Sequence, residues 1–100
     1  MYPRLVVDLN KLKGNLDACA KIVKEDGGCS LMIVTKGLCA DAEMARMVAD
    51  HPAVEFMADS RVANIKTYAD EAREKGKKTV LLRLPMACET AEVVKYVDLS

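Results

Sequence analysis

Short apolar runs alternate with segments of helical periodicity along the whole of this chain. Turn residues bound each run, and the five runs begin near Leu5, Leu31, Val54, Val80 and Val97. The runs predict β-strands, most of them buried on both faces. The segments between them predict four crossover helices. The resulting order, β-α-β-α-β-α-β-α-β, predicts an α/β fold with parallel strands joined by right-handed crossovers.

Helix ends can also be read from the sequence. We predict a first helix from Asn10 to the glycines at 27 and 28, with a second capped by Asp41 and a third capped by Ser60. The fourth is a short helix from Thr90 to Tyr96. The buried stripe of the first helix is Leu12, Leu16, Cys19 and Val23, and that of the third is Val62, Ile65, Ala69 and Ala72.

Composition excludes several function classes. The 15 basic and 15 acidic residues are mixed along the chain, so no basic stripe indicates nucleic acid as a partner. Four cysteines without a close pair, and a single histidine, His51, support neither a metal site nor a redox motif. No apolar run is long enough to span a bilayer and the start does not resemble a signal peptide, so we expect a cytoplasmic protein with reduced thiols.

Two architectures fit the alternation of strands and helices. One is an open doubly wound sheet, and the other is a barrel, whose eight units need roughly 250 residues. Periodicity does not choose between them. The chain stops at Ser100, within the last predicted strand, and we therefore expect it to be a piece of something larger.

In either architecture, ligands bind beyond the carboxyl ends of the strands. Lys36 follows an apolar run, with only Thr35 between them, so its amine is a candidate for the desolvated nucleophile that Schiff-base chemistry requires. On position alone, a lysine that ends a strand is more often a solvated surface charge. Arg83 lies among leucines at another strand end, where an arginine usually has a carboxylate or ligand partner. No glycine-rich phosphate loop is present.

Three groups of residues, taken in order, resemble a known family. They are the start Val7-Asp8-Leu9-Asn10-Lys11-Leu12 with Asn15, then Ile33-Val34-Thr35-Lys36, then Phe56-Met57-Ala58-Asp59-Ser60-Arg61 with Leu81-Leu82-Arg83-Leu84-Pro85-Met86. Together they resemble the N-terminal domain of pyridoxal-phosphate-dependent amino-acid racemases of the alanine and ornithine racemase type. The resemblance covers residues 1–100 but only the first third or so of such an enzyme.

The resemblance implies a fold, a cofactor and a set of roles. The chain would be about half of a (β/α)8 barrel, with the run at Leu5 preceding the barrel proper. Lys36 would bind pyridoxal phosphate as a Schiff base and move the substrate α-proton, and Arg83 would lie near the cofactor. The second-strand rim at Met57, Ser60 and Arg61 would serve in packing or capping. The whole enzyme would be a homodimer acting on an amino acid, and the 100-residue piece alone would be inactive.

The match is imperfect, and other functions stay open. Gly37-Leu38-Cys39-Ala40 replaces the alanine racemase pattern after the lysine, so a phosphate-binding tyrosine is absent and alanine is disfavoured as the substrate. A decarboxylase of the same fold would have a comparable lysine and arginine. A non-catalytic pyridoxal-phosphate-binding protein would have the barrel without a second domain. The remaining alternative is a cofactor-free α/β interaction module.

Overall fold

The computed structural model describes residues 2–100 and has an α/β architecture. Four helices and three strands follow one another along the chain, with short 3-10 turns at Lys36–Leu38 and Ala87–Glu89. The elements are α1 (Leu9–Ala20, continued by a π-helical stretch at Lys21–Asp26), β1 (Leu31–Val34), α2 (Ala42–Asp50), β2 (Val54–Asp59), α3 (Val62–Glu74), β3 (Lys78–Leu81) and α4 (Thr90–Tyr96). The predicted α/β class is therefore confirmed.

The three strands form one parallel sheet in the order β1-β2-β3. Val34 pairs with Ala58, and Asp59 pairs with Leu81, so all three strands end at the same edge. Near the end of the chain Leu99 makes a parallel bridge to Val80, on the far side of β3. The strand predicted from Val97 is thus reduced to a single bridge, because no further strand in residues 2–100 pairs with it.

The helices cover one face of the sheet. Apolar residues of α1, α2 and α3 share a core with Leu31, Met57 and Leu81 of the strands, and the four residues predicted for the buried stripe of α3 are all buried. On the other face Met32, Val34 and Leu82 are 40%, 43% and 42% exposed. On this face the prediction that most strands are buried on both sides is wrong for β1, because the helices lie on the other side, whereas Ala58 of β2 and Val80 of β3 are buried as predicted. This arrangement is compatible with part of a barrel.

Helix starts follow carboxylates more closely than predicted. Asp8, rather than Asn10, caps α1 by accepting hydrogen bonds from the backbone N–H groups of residues 10 and 11. Asp41 caps α2 as predicted. Ser60 does not cap α3, whose first flanking residue is Arg61, because the Asp59 carboxylate accepts the N–H of Arg61 instead. The α4 bounds agree with the prediction.

The segment around Leu5 is not a strand. Leu5 and Val6 are each 76% exposed, and no strand within residues 2–100 pairs with them. An apolar run forms a strand only where a neighbour satisfies its backbone hydrogen bonds.

The prediction that Cys19 packs in the core is wrong. Cys19 is exposed, because the buried side of α1 passes through Leu16 and Ala20. No helix of residues 2–100 has the length and apolar character to cross a membrane.

Candidate functional site

Lys36, Asp59 and Arg83 lie at the carboxyl edge of the sheet. Asp59 ends β2, and Lys36 and Arg83 are each the second residue after β1 and β3, so each belongs to one of three neighbouring parallel strands. Strands two apart in a sheet are separated by about 10 Å, which brings the loops that carry Lys36 and Arg83 within reach of one small ligand. The two residues that the sequence singled out therefore lie at the same edge of the sheet, two strands apart.

The Lys36 amine is exposed and has no acidic partner among residues 2–100. Lys36 is the first residue of the 3-10 turn that follows β1. The dry surroundings expected for its amine are therefore not supplied by the described part of the chain. An amine without an ion pair stays available for a ligand, which is the property that a covalent lysine requires.

The backbone after Lys36 is tightly constrained. Cys39 and Ala40 have φ values of 53° and 54°, in the left-handed region that residues with a Cβ rarely adopt. Two hydrogen bonds close the turn, from Cys39 N to Lys36 O at 3.2 Å and from Ala40 N to Thr35 O at 3.0 Å. Strained backbone of this kind is concentrated at functional sites in proteins. The turn is thus a conformationally defined support for the lysine.

A buried carboxylate lies beside this turn. Asp59 is 0% exposed and accepts hydrogen bonds from the Thr35 hydroxyl at 2.8 Å, the Asn64 amide at 3.1 Å and the Arg61 N–H at 2.9 Å. The sequence interpretation missed this group. Its signal was the position of an acidic residue directly after the apolar run Val54–Ala58, where a carboxylate must find several donors.

Tyr68 extends this network. Its hydroxyl lies 3.1 Å from the Thr35 hydroxyl and the residue is 3% exposed. Burial raises the pKa of the Tyr68 hydroxyl to about 12, while the Thr35 hydrogen bond acts in the opposite direction. The phenol therefore stays protonated over the neutral range and can donate to Thr35, whose own hydroxyl proton has Asp59 Oδ2 at 2.8 Å and Ala58 O at 3.2 Å as acceptors.

We expect the free energy of unfolding to fall as the pH rises from 10 to 12, in part because of Tyr68. The folded state holds the phenol proton up to about pH 12, whereas the unfolded chain releases it near pH 10. The contribution of Tyr68 to the free energy of unfolding is therefore complete below pH 10 and is lost as the pH rises from 10 to 12. Urea unfolding across this range should show a smaller fall in Tyr68→Phe, which retains the other alkaline titrations. Equal slopes in the two proteins would contradict the assignment.

Arg83 has an internal partner. It lies just beyond β3, and its guanidinium makes a two-pronged ion pair with Glu89, including an Nη2 to Oε1 distance of 3.0 Å. Nε donates to Ser60 O at 2.8 Å and Nη1 to Leu84 O at 3.2 Å. The Arg83 hydrogen bond lowers the pKa of the Glu89 carboxyl, and the Met86 N–H adds to this effect. These bonds use four of the five N–H donors of a guanidinium, and one Nη2 hydrogen remains for a ligand.

Of the second-strand rim, Met57 has the packing role expected of it, whereas neither Ser60 nor Arg61 caps α3 with its side chain. Met57 is fully buried in the core, and the Ser60 carbonyl receives the Arg83 bond. Arg61 is exposed at the start of α3. Together with Arg83 and Glu89, Ser60 and Arg61 line a cleft of about 440 Å³. This cleft opens at the same edge of the sheet as Lys36.

The other lysines lie on helices or on the turn before β3, except Lys78, which is the first residue of that strand. Several of them are already engaged: Lys24 pairs with Glu55 at 2.7 Å, Lys75 with Asp50 and Glu71, and Lys77 donates to His51 O at 2.7 Å. The set is Lys11, Lys13, Lys21, Lys24, Lys66, Lys75, Lys77, Lys78 and Lys95. None of these follows the carboxyl end of a strand, which leaves Lys36 as the lysine at that edge among residues 2–100.

His51 has a structural environment. It ends α2, is 9% exposed, and its Nε2 lies 2.6 Å from Asp17 Oδ1. Its Nδ1 accepts the Ala53 N–H at 3.1 Å. The residue therefore ties α1 to the end of α2, far from the carboxyl edge. Residues 2–100 contain no cluster of metal-ligating side chains.

Comparison with known proteins adds one clear similarity. The chain is 40% identical over 100 residues to the ornithine racemase of Acetoanaerobium sticklandii. The matched region is the whole of this chain and 27% of that enzyme, so the chain spans about a quarter of the length of this relative. No protein-family model matches the chain, and no solved structure matches it. Identity at this level over every described element supports a relationship to the racemases.

Proposed function

We propose that this chain is the N-terminal portion of a pyridoxal-phosphate-dependent amino-acid racemase, with Lys36 as the residue that holds the cofactor. The observation that carries the proposal is Lys36, an exposed lysine at the carboxyl edge of a parallel sheet with no ion-pair partner in residues 2–100. Ligand chemistry in α/β folds takes place at this edge. The 40% identity to an ornithine racemase over the whole chain supports the same conclusion.

The proposed fold is part of a (β/α)8 barrel, with residues 1–100 forming the N-terminal portion of its domain. The strand order β1-β2-β3 is sequential, and Leu99 joins beyond β3 rather than on the other side of β1. A doubly wound sheet reverses its strand order and carries helices on both faces. Sequential order with helices on one face therefore favours the barrel, whose interior would be lined by the open face at Met32, Val34 and Leu82.

The donor set at this edge suits pyridoxal phosphate in two respects. Lys36 offers an amine that pairs with no carboxylate of residues 2–100, and Arg83 retains one N–H that can reach a ligand oxygen or ring. When bound, the cofactor withdraws electrons from the substrate and so acidifies the proton on the α-carbon. Groups that bind the phosphate would come from the remaining part of the protein.

Lys36 would have two roles. Its amine would anchor the cofactor covalently, and after displacement by the amino-acid substrate it would move a proton at the α-carbon. Racemisation requires that a proton return on the opposite face, so a second base must face Lys36 across the substrate. We propose that this base belongs to the other subunit of a homodimer. A cytoplasmic location remains a prediction.

The proposal is tested by following the α-proton of ornithine. The complete gene product, supplied with pyridoxal phosphate in deuterated water, should convert L-ornithine to the racemic mixture and incorporate deuterium at the α-carbon. We expect ornithine to react faster than alanine, because the turn after Lys36 lacks the alanine racemase pattern. Chiral chromatography and mass spectrometry measure both changes.

The alternatives give different results in the same experiment. Carbon dioxide release with formation of a diamine would assign the protein to the decarboxylases of this fold. Cofactor binding without α-proton exchange on any amino acid would identify a non-catalytic binding protein. A protein that binds no pyridoxal phosphate would contradict the proposal entirely and favour a cofactor-free interaction module.

A further inference from the structure

The Asp59 carboxylate has unusual surroundings for a charged group. It is completely buried, and no basic side chain in residues 2–100 pairs with it. Buried charges are normally paired, and an unpaired one is costly to desolvate. All three of its contacts come from donors, so both oxygens act as acceptors, as in an ionised carboxylate. A group of this kind needs a reason other than packing.

The donors of Asp59 serve two different structures. The Arg61 N–H and the Asn64 amide belong to the start of α3 and fix the first turn of that helix. The third donor, the Thr35 hydroxyl, belongs to the end of β1. Capping of α3 explains the first two contacts. It does not explain why the carboxylate also reaches across the sheet to the residue before Lys36.

Thr35 is held on every side. Its N–H donates to Ala58 O at 2.8 Å, and its carbonyl accepts the Ala40 N–H at 3.0 Å. Its hydroxyl lies 2.8 Å from Asp59 Oδ2, 3.1 Å from the Tyr68 hydroxyl and 3.2 Å from Ala58 O, and Asp59 is the nearer of its two acceptors. The chain turns directly after this residue, and Lys36 begins the turn. The direction in which the Lys36 side chain leaves the sheet is therefore set by the conformation of Thr35.

We propose that Asp59, acting through the Thr35 hydroxyl, is a positioning residue for Lys36. This inference rests on the function proposed above. The hydroxyl-to-carboxylate bond locks the backbone from which the lysine projects, and the Tyr68 hydroxyl completes a directed chain from Tyr68 to Thr35 to Asp59. Holding a reactive amine in one geometry matters because a displacement of about 1 Å can lower a rate by about 10²-fold.

The test uses Thr35→Val and Thr35→Ser in the complete gene product with pyridoxal phosphate. Valine has the shape of threonine without the hydroxyl and leaves both α3 contacts of Asp59 in place, whereas serine retains the hydroxyl. The readouts are the borohydride-trapped label on Lys36, the induced circular dichroism of the bound cofactor, and kcat and KM for racemisation. Thr79→Val is the control, because Thr79 is a second threonine whose hydroxyl donates within the protein, in that case to Tyr96 O at 2.7 Å, although Thr79 is fully buried and Thr35 is half-buried.

We expect Thr35→Val to keep the covalent label but to lose most of the induced circular dichroism, since the cofactor is attached without a fixed orientation. Its kcat should fall by about 10- to 100-fold with little change in KM. Thr35→Ser should recover most of both signals, and Thr79→Val should lower stability while leaving the circular dichroism per bound cofactor unchanged.

Three results would overturn the inference; two concern the Thr35 hydroxyl, and the third concerns the proposed function. Unchanged circular dichroism and kcat in Thr35→Val, or equal losses in Thr35→Val and Thr35→Ser, would show that the hydroxyl does not position Lys36. Absence of any label on Lys36 in the unsubstituted protein would instead remove the proposed function and, with it, this role.

Discussion

Replacement of Lys36 by alanine should lower the rate of α-proton exchange by about 10³-fold or more. The amine is expected to act both as the covalent anchor of the cofactor and as the base at the α-carbon, and a positioned base alone contributes roughly 10²- to 10⁴-fold. Deuterium incorporation into ornithine measures the loss. The substitution should leave folding intact, because Lys36 is exposed and its amine makes no ion pair within residues 2–100.

Lys78→Ala is the matched control for this substitution. Lys78 is also an exposed lysine in the strand layer, but it begins β3 at the opposite edge of the sheet. The control should retain nearly all of the exchange activity. If Lys36→Ala retained exchange at the rate of the Lys78→Ala protein, Lys36 would have no part in the chemistry.

The second large effect is on stability. Ile65 is completely buried in the core beneath the sheet, on the inward side of α3. Ile65→Ala should lower the free energy of unfolding by about 2–5 kcal/mol, since it removes buried methylene groups and leaves a cavity. This is a large part of the roughly 5–15 kcal/mol that stabilises a typical domain. Chemical denaturation of the complete gene product measures the change.

Val94→Ala provides the comparison for the core substitution. Val94 is a β-branched residue on α4 and is 77% exposed, so its truncation should change stability by no more than about 0.5 kcal/mol. A loss in Ile65→Ala no greater than that in Val94→Ala would mean that the described core does not carry the stability of this region.

The regular features of this fold were predictable from the sequence. Alternating apolar runs gave the order of the strands from Leu31 onward, and the stripe from Val62 to Ala72 gave the buried side of α3. These succeed because side-chain periodicity reflects which face is buried. The strand predicted at Leu5 was wrong, because an apolar run also needs a neighbouring strand to form one, and no strand in residues 2–100 lies beside it.

The candidate site was predictable only in part. Position after an apolar run was enough to select Lys36 and Arg83, because parallel strands end at one edge. The partners of these residues were not predictable. Glu89 contacts Arg83 from a separate 3-10 turn, and Thr35, which follows β1, donates to Asp59 at the end of the neighbouring strand β2. Such contacts depend on register and loop conformation, neither of which leaves a periodic signal in the sequence.

The most direct measurement of the central claim is the location of the covalent cofactor. The complete gene product would be loaded with pyridoxal phosphate, reduced with borohydride and digested, and the pyridoxyl mass assigned to a residue by peptide sequencing. We predict that the label lies on Lys36 and disappears in Lys36→Ala, while Lys78→Ala is labelled normally. A label found mainly on another lysine, or one that persists undiminished in Lys36→Ala, would contradict the assignment of this edge of the sheet as the cofactor site.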